Sequence, residues 1–190
     1  MQYEVMFPPF EYIEFPKMNK RQAKEYFDWY ISQIDHRISL LSSAVLADET
    51  VLSFDYSVES LIPLWEWYEN KISFVKLDDS EYQKKLQKYP SWMENYISNM
   101  DLSYTTVVYG MDIALYFAEV IIRNNEGKVK WGYFTKPRNR LSVNEPTLLG
   151  FKNDDDLNPR LIVLNCTRHS NEERQATRLY NMYYTWMNYL

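Results

Sequence analysis

The segment from Ser103 to Asn124 constrains the fold more than any other part of the chain. Val107, Val108, Met111, Ala114, Leu115, Ala118, Ile121 and Ile122 recur at helical spacing, and Ile113, Phe117 and Val120 carry the apolar surface round the side. A helix apolar over about three quarters of its circumference belongs in the middle of a domain, covered by other elements. Ser103 stands where a hydroxyl can cap the N–H groups of its first turn. The remaining stripe is polar: Tyr109, Asp112, Tyr116, Glu119 and Arg123 follow one another at spacings of three and four.

The rest of the chain supplies the cover. Residues 1–18 hold Pro8, Pro9 and Pro16 among aromatic residues, which predicts an extended arm packed on the domain. Asn19 with Gln22 has the form of a capping box, opening a helix over 20–46 through Ala23, Phe27, Tyr30, Ile34, Ile38, Leu41 and Val45. Val51–Phe54 reads as a short strand or a turn. Ser57 caps a second helix carrying Leu61, Leu64, Trp65 and Tyr68, with Pro63 at a kink or in its first turn. Asp79 or Ser80 caps a third, short helix, and Pro90 opens a helical stretch with Trp92, Tyr96 and Ile97. After the central helix the period changes. Asn125-Glu126-Gly127 is a turn signal, Lys128–Thr135 alternates, and Pro137-Arg138-Asn139 reads as a hairpin turn before Leu141–Val143. Thr147–Phe151 and Leu161–Asn165 read as further strands, and a final helix starts near Ser170 with Ala176, Leu179, Tyr183, Trp186 and Leu190 on one face. The expected architecture is α+β in a single domain over 1–190. Helices of the first two thirds surround the buried central one, then come a small antiparallel sheet and a closing helix.

Function is constrained mainly by exclusion. A net charge of −5 argues against a nucleic-acid partner, which calls for a basic face, and suits a basic protein partner. No run of the roughly 18–20 apolar residues of a bilayer span is read, so no membrane partner is expected. The acidic N-terminus, with Glu4, Glu11 and Glu14, lacks the form of a signal peptide, and the expected location is cytoplasmic. The single Cys166 rules out an internal disulfide and a cysteine-built zinc site. Tyr 17, Phe 9 and Trp 6 make 17% of the chain; a large core accounts for most of them, and Tyr and Trp also serve as binding anchors.

Three groups of residues bear on chemistry. Asp112 and Glu119, seven apart on one helix face, have the spacing to share a metal or divide acid and base roles; the plainer reading is a polar stripe facing solvent or packed under another element, with Glu119 and Arg123 as an i,i+4 pair. His36, beside Arg37, and His169 lie far apart, and Cys166, at an expected strand end, is read as a small buried hydrophobe and not a nucleophile. Asp154, Asp155 and Asp156 form an acidic loop without the glycine and glutamate of a calcium loop; it is read as solvated, or as a contact for a basic partner. No phosphate-binding loop, zinc-protease motif or serine-hydrolase elbow occurs. No catalytic residue, metal site or cofactor is expected.

The run Asp112-Ile113-Ala114-Leu115-Tyr116-Phe117-Ala118-Glu119-Val120, then Lys130-Trp131-Gly132-Tyr133, resembles a pattern in small bacterial proteins. There, a helix with a Tyr–hydrophobic–Gly–Glu–aliphatic segment leads into a Trp-bearing strand, a later short strand and an Asn-Pro turn, matched here by Thr147–Phe151 and Asn158-Pro159. Ala118 stands where the pattern has Gly. The resemblance covers residues 100–165, and some proteins of this type are similar to immunity proteins of bacterial toxin systems. It implies a bacterial protein in which Tyr116, Glu119 and Trp131 are structural signature residues. The leading expectation is a non-catalytic binding protein of immunity type that takes another, basic, protein through Tyr109, Asp112, Tyr116, Glu119, Trp131, Asp154, Asp155 and Asp156. The alternatives are a small hydrolase or metal-dependent enzyme using the carboxylates of the central helix, and a homodimeric structural or regulatory module.

Overall fold

The computed structural model describes residues 3–50, 52–171 and 173–190. Its centre is α5 (Tyr104–Asn124), capped by Ser103, whose hydroxyl accepts the N–H of Thr106. Ile113, Ala114, Leu115, Phe117, Ala118, Val120 and Ile121 are all buried, as the wide apolar face requires. By length and composition α5 is apolar enough to cross a membrane, which corrects the sequence reading that no such run exists; 67% of the apolar window is buried within the protein itself.

The arm is docked. It runs without helix from Tyr3 to a 3-10 turn at Phe15–Lys17, burying Phe15 and Met18. Asn19 and Gln22 form the capping box of α1 (Lys20–Ser32). The single helix expected over 20–46 is two, because the chain turns at Gln33, where its N–H closes onto Tyr30 O, and continues as α2 (Ile34–Ala47). No Pro or Gly marks that position. The turn lets Tyr26 and Tyr30 on one side and Ile38, Leu41 and Val45 on the other all reach the core. Leu52–Phe54 is not a strand, and Val51 lies outside the described residues. Helix α3 (Leu61–Glu69) starts at Ser60, with Pro63 in its first turn, and buries Leu61, Leu64, Trp65 and Tyr68.

Strands β1 (Phe74–Lys76) and β2 (Met100–Leu102) pair antiparallel, Phe74 opposite Leu102. Between them lie α4 (Asp79–Leu86), capped by Asp78 through a full capping box, and a 3-10 stretch at Ser91–Tyr96. Beyond α5 the second sheet has the order β3 (Lys130–Gly132), β4 (Thr147–Leu149), β5 (Asp156–Leu157), antiparallel throughout. Gly150 at φ +122 is required there, since a Cβ would stand 2.0 Å from Lys128 O. Leu141–Val143 is not a strand; one bridge joins Phe134 to Val143, and Leu141 is exposed.

The expected strand at Leu161–Asn165 is instead part of α6 (Pro159–His169). Asn158 accepts the N–H groups of Arg160 and Leu161, and Pro159 occupies the first helical position, where its missing N–H has no cost. These two start signals outweigh the β-branched residues that follow. The closing helix α7 begins at Arg178, not near Ser170, and buries Leu179 and Tyr183. Helices therefore occupy the C-terminal third as well, and the α+β class holds.

Candidate functional site

The polar stripe of α5 is not a solvent-facing strip. Asp112 and Arg37 of α2 are 1% and 2% exposed, and they meet in a two-pronged pair: Arg37 Nε donates to Asp112 Oδ1 at 2.9 Å and Nη2 to Oδ2 at 2.7 Å. Arg37 Nη2 also donates to the Glu4 carbonyl at 2.7 Å, and the Tyr3 hydroxyl donates to Asp112 Oδ2. Burial pushes the Asp112 carboxyl upward, and the hydrogen bonds from Arg37 and Tyr3 pull it part of the way back. A charge so buried is tolerable because both carboxylate oxygens are matched. The arm is thus tied to the middle of the domain through residues 3 and 4.

One turn on either side, the same logic repeats. Tyr109 lies against Tyr3, the rings tilted by 40° with centroids 4.3 Å apart, and meets Trp67 edge-on at 5.3 Å. Ser60 Oγ gives its one proton to Ser57 O, so the buried Tyr116 hydroxyl donates to Ser60 Oγ at 2.8 Å and accepts the N–H of Tyr56 at 3.1 Å. Glu119 accepts Trp131 Nε1 from β3 at 2.9 Å and stands 3.6 Å from Arg123, whose guanidinium lies 3.5 Å over the Tyr56 ring. The stripe is a seam that fastens the arm, α2, the approach to α3, and β3 to the central helix. Asp112 and Glu119 sit two turns apart, each matched by its own partners; they are not brought to a common ligand.

The remaining candidates are dispersed. Asp156 pairs with Arg140, which also donates to Asp154 O, so the acidic run is folded onto its neighbour, with Asp154 and Asp155 exposed. Cys166 is buried on a helix and not at a strand end; burial pushes its thiol up to about 11. His36 and His169 are exposed on α2 and α6. No group of three or more His, Cys, Asp or Glu among the described residues is placed to hold a metal ion.

A second region stands apart from the seam. Between 73 and 103 only Leu102, at the end of β2, is a buried apolar side chain, none joins the main hydrophobic cluster, and α4 and the 3-10 stretch contain no buried residue. This lobe is held by hydrogen bonds: Ser103 N–H to Ser73 O at 2.9 Å, Leu77 N–H to Asn99 O at 2.8 Å, Tyr82 Oη to Ile97 O at 3.0 Å, and Lys85 Nζ to the carbonyls of Ser98 and Met100. Trp92 and Tyr96 are 72% and 81% exposed, with Tyr89, Val75, Met100 and Tyr104 also open to water. Sequence reading placed Trp92 and Tyr96 on a helical stretch and gave no sign of their exposure. Tyr3 it passed over, because a partner 109 residues from Asp112 leaves no local signal.

Compared with known proteins, the chain matches no family model, no curated protein and no solved structure.

Proposed function

We propose that this chain is a non-catalytic binding protein that takes another protein through the lobe between Phe74 and Leu102. The observation that carries this reading is the exposure of Trp92 and Tyr96 on a segment, 77–99, that holds no buried side chain. Large aromatic rings left in water forgo the stabilisation that burial would give, and Trp and Tyr are the residues that most often anchor an interface once a partner covers them. The same segment carries charges of both signs, Lys76, Lys84, Lys85 and Lys88 against Asp78, Asp79, Glu81, Glu94 and Asp101. The lobe therefore offers exposed aromatic rings together with charges of both signs, while the net charge of −5 of the whole chain favours encounter with a basic partner. In the immunity-type form of this proposal the partner is a toxin, and its support is the resemblance over residues 100–165.

The test is a pull-down of the tagged chain from its own host beside a Trp92→Ala/Tyr96→Ala variant of matching circular dichroism. One stoichiometric partner held by the parent chain and lost by the variant is the expected result. A partner held equally by both, or no partner at all, would sink the proposal. Self-association in sedimentation that disappears in the variant would replace it with the homodimer.

A further inference from the structure

A pocket of about 230 Å³ lies where the arm crosses the helices. Arm residues 5–7 form one wall; Val108 and Met111 of α5 form another; Tyr30, Arg37 and Arg160 reach it from α1, α2 and α6. We propose that this pocket binds a small, mostly apolar molecule with one neutral hydrogen-bond acceptor, a carbonyl oxygen of ketone or amide type.

Size comes first. Drug-sized ligands occupy roughly 300–1,000 Å³, and at the packing density of a protein interior this pocket has room for about ten non-hydrogen atoms. Its lining is mainly apolar, so the body of the molecule is apolar too.

The polar groups on the wall then set the head. Tyr30 is 1% exposed, and its hydroxyl has no hydrogen-bond partner among the described residues. Burial holds that phenol protonated, so it is a donor. Arg37 gives Nε and Nη2 to Asp112 and the Glu4 carbonyl, which leaves Nη1 without a partner among the described residues. Arg160 gives Nη2 to Glu145 at 2.8 Å, and its guanidinium lies 5.6 Å over the Tyr30 ring. Donors that open onto the pocket and have no protein acceptor suit an acceptor on the ligand, which takes the place of water there.

Charge decides which acceptor. Each guanidinium is already matched by one carboxylate, Arg37 by Asp112 and Arg160 by Glu145. The pocket carries no surplus positive charge, and a ligand carboxylate would arrive as an uncompensated buried anion. A carbonyl takes the same donors with no such penalty.

The experiment uses the full chain with ¹³C-methyl-labelled methionine, because Met6 and Met111 both line the pocket. Octan-2-one, octanoate and octane are titrated in turn. The expected result is saturable shifts of the Met6 and Met111 methyls with octan-2-one, weaker binding of octanoate, and octane binding that Tyr30→Phe leaves unchanged. Tyr30→Phe keeps the ring and removes a hydroxyl with no protein partner, so the variant folds; it weakens octan-2-one by about two- to tenfold, the worth of one hydrogen bond. Octanoate binding more tightly than the ketone, ketone binding indifferent to Tyr30→Phe, or no saturable shift at either methyl would each overturn the proposal.

Discussion

Along the seam of α5, Tyr3, Tyr116 and Trp131 place their rings against the domain, and each polar tip is matched, to Asp112, to Ser60 and Tyr56, and to Glu119. In the lobe, Trp92 and Tyr96 are the same kinds of residue left in water, and among the described residues neither ring packs against another ring. Aromatic content therefore does not by itself separate core from interface. The partner of the polar tip does. A hydroxyl or indole N–H tied to a group far along the chain fixes one element to another, whereas an exposed ring on a segment without buried side chains fixes nothing within the domain.

If the seam is structural, breaking it costs stability and leaves the lobe's exposed face intact. Asp112→Ala strands the Arg37 guanidinium in the interior and is expected to lower the urea-derived unfolding free energy by about 3–5 kcal/mol. The double change Arg37→Met/Asp112→Leu recovers most of that loss, and a cost for Asp112→Ala under about 1 kcal/mol would remove the seam from the account. Cys166 reports on the same interior by reactivity. With its thiol raised from an ordinary 9.0 to about 11, its thiolate is about a hundredfold scarcer than in the unfolded chain at pH 8. Iodoacetamide labelling of the native protein at that pH is expected to slow by at least that factor. Labelling at the unfolded rate would place Cys166 at the surface. Tyr116→Phe leaves Ser60 and the Tyr56 N–H short of a partner and is expected to cost about 1–3 kcal/mol in the same urea titration. At the bottom of the scale, Trp92→Ala/Tyr96→Ala is expected to change stability by no more than about 0.5 kcal/mol, as substitutions on open surface do. A large loss there would make the lobe part of the core's support and erase the contrast.

How far the sequence reveals this follows the range of each interaction. Ser103 to Asn124 is legible to the residue, because the cap and the period are local and tertiary packing agrees with them. The stripe Tyr109, Asp112, Tyr116, Glu119 and Arg123 is legible as a stripe, but its partners Tyr3 and Arg37 come from 109 and 75 residues away and have no pattern in common with it. At α6 the signals were present and in conflict: Leu161, Ile162 and Val163 favour a strand, while Asn158 and Pro159 start a helix, and the start signals decide. The turn at Gln33 and the exposure of Trp92 and Tyr96 depend on what the rest of the chain covers, which no local window contains.

The paired strands Phe74–Lys76 and Met100–Leu102 bring the two ends of the lobe side by side, with Lys76 directly opposite Met100. In topological terms everything from 77 to 99 is an excursion that leaves the domain and returns at a single point. A two-residue hairpin turn is able to span the same gap, so the excursion is replaceable without rerouting any other element. Sequence change inside it is felt in the excursion and not in the domain that carries it. A protein built this way can vary the surface of that excursion while its interior stays fixed.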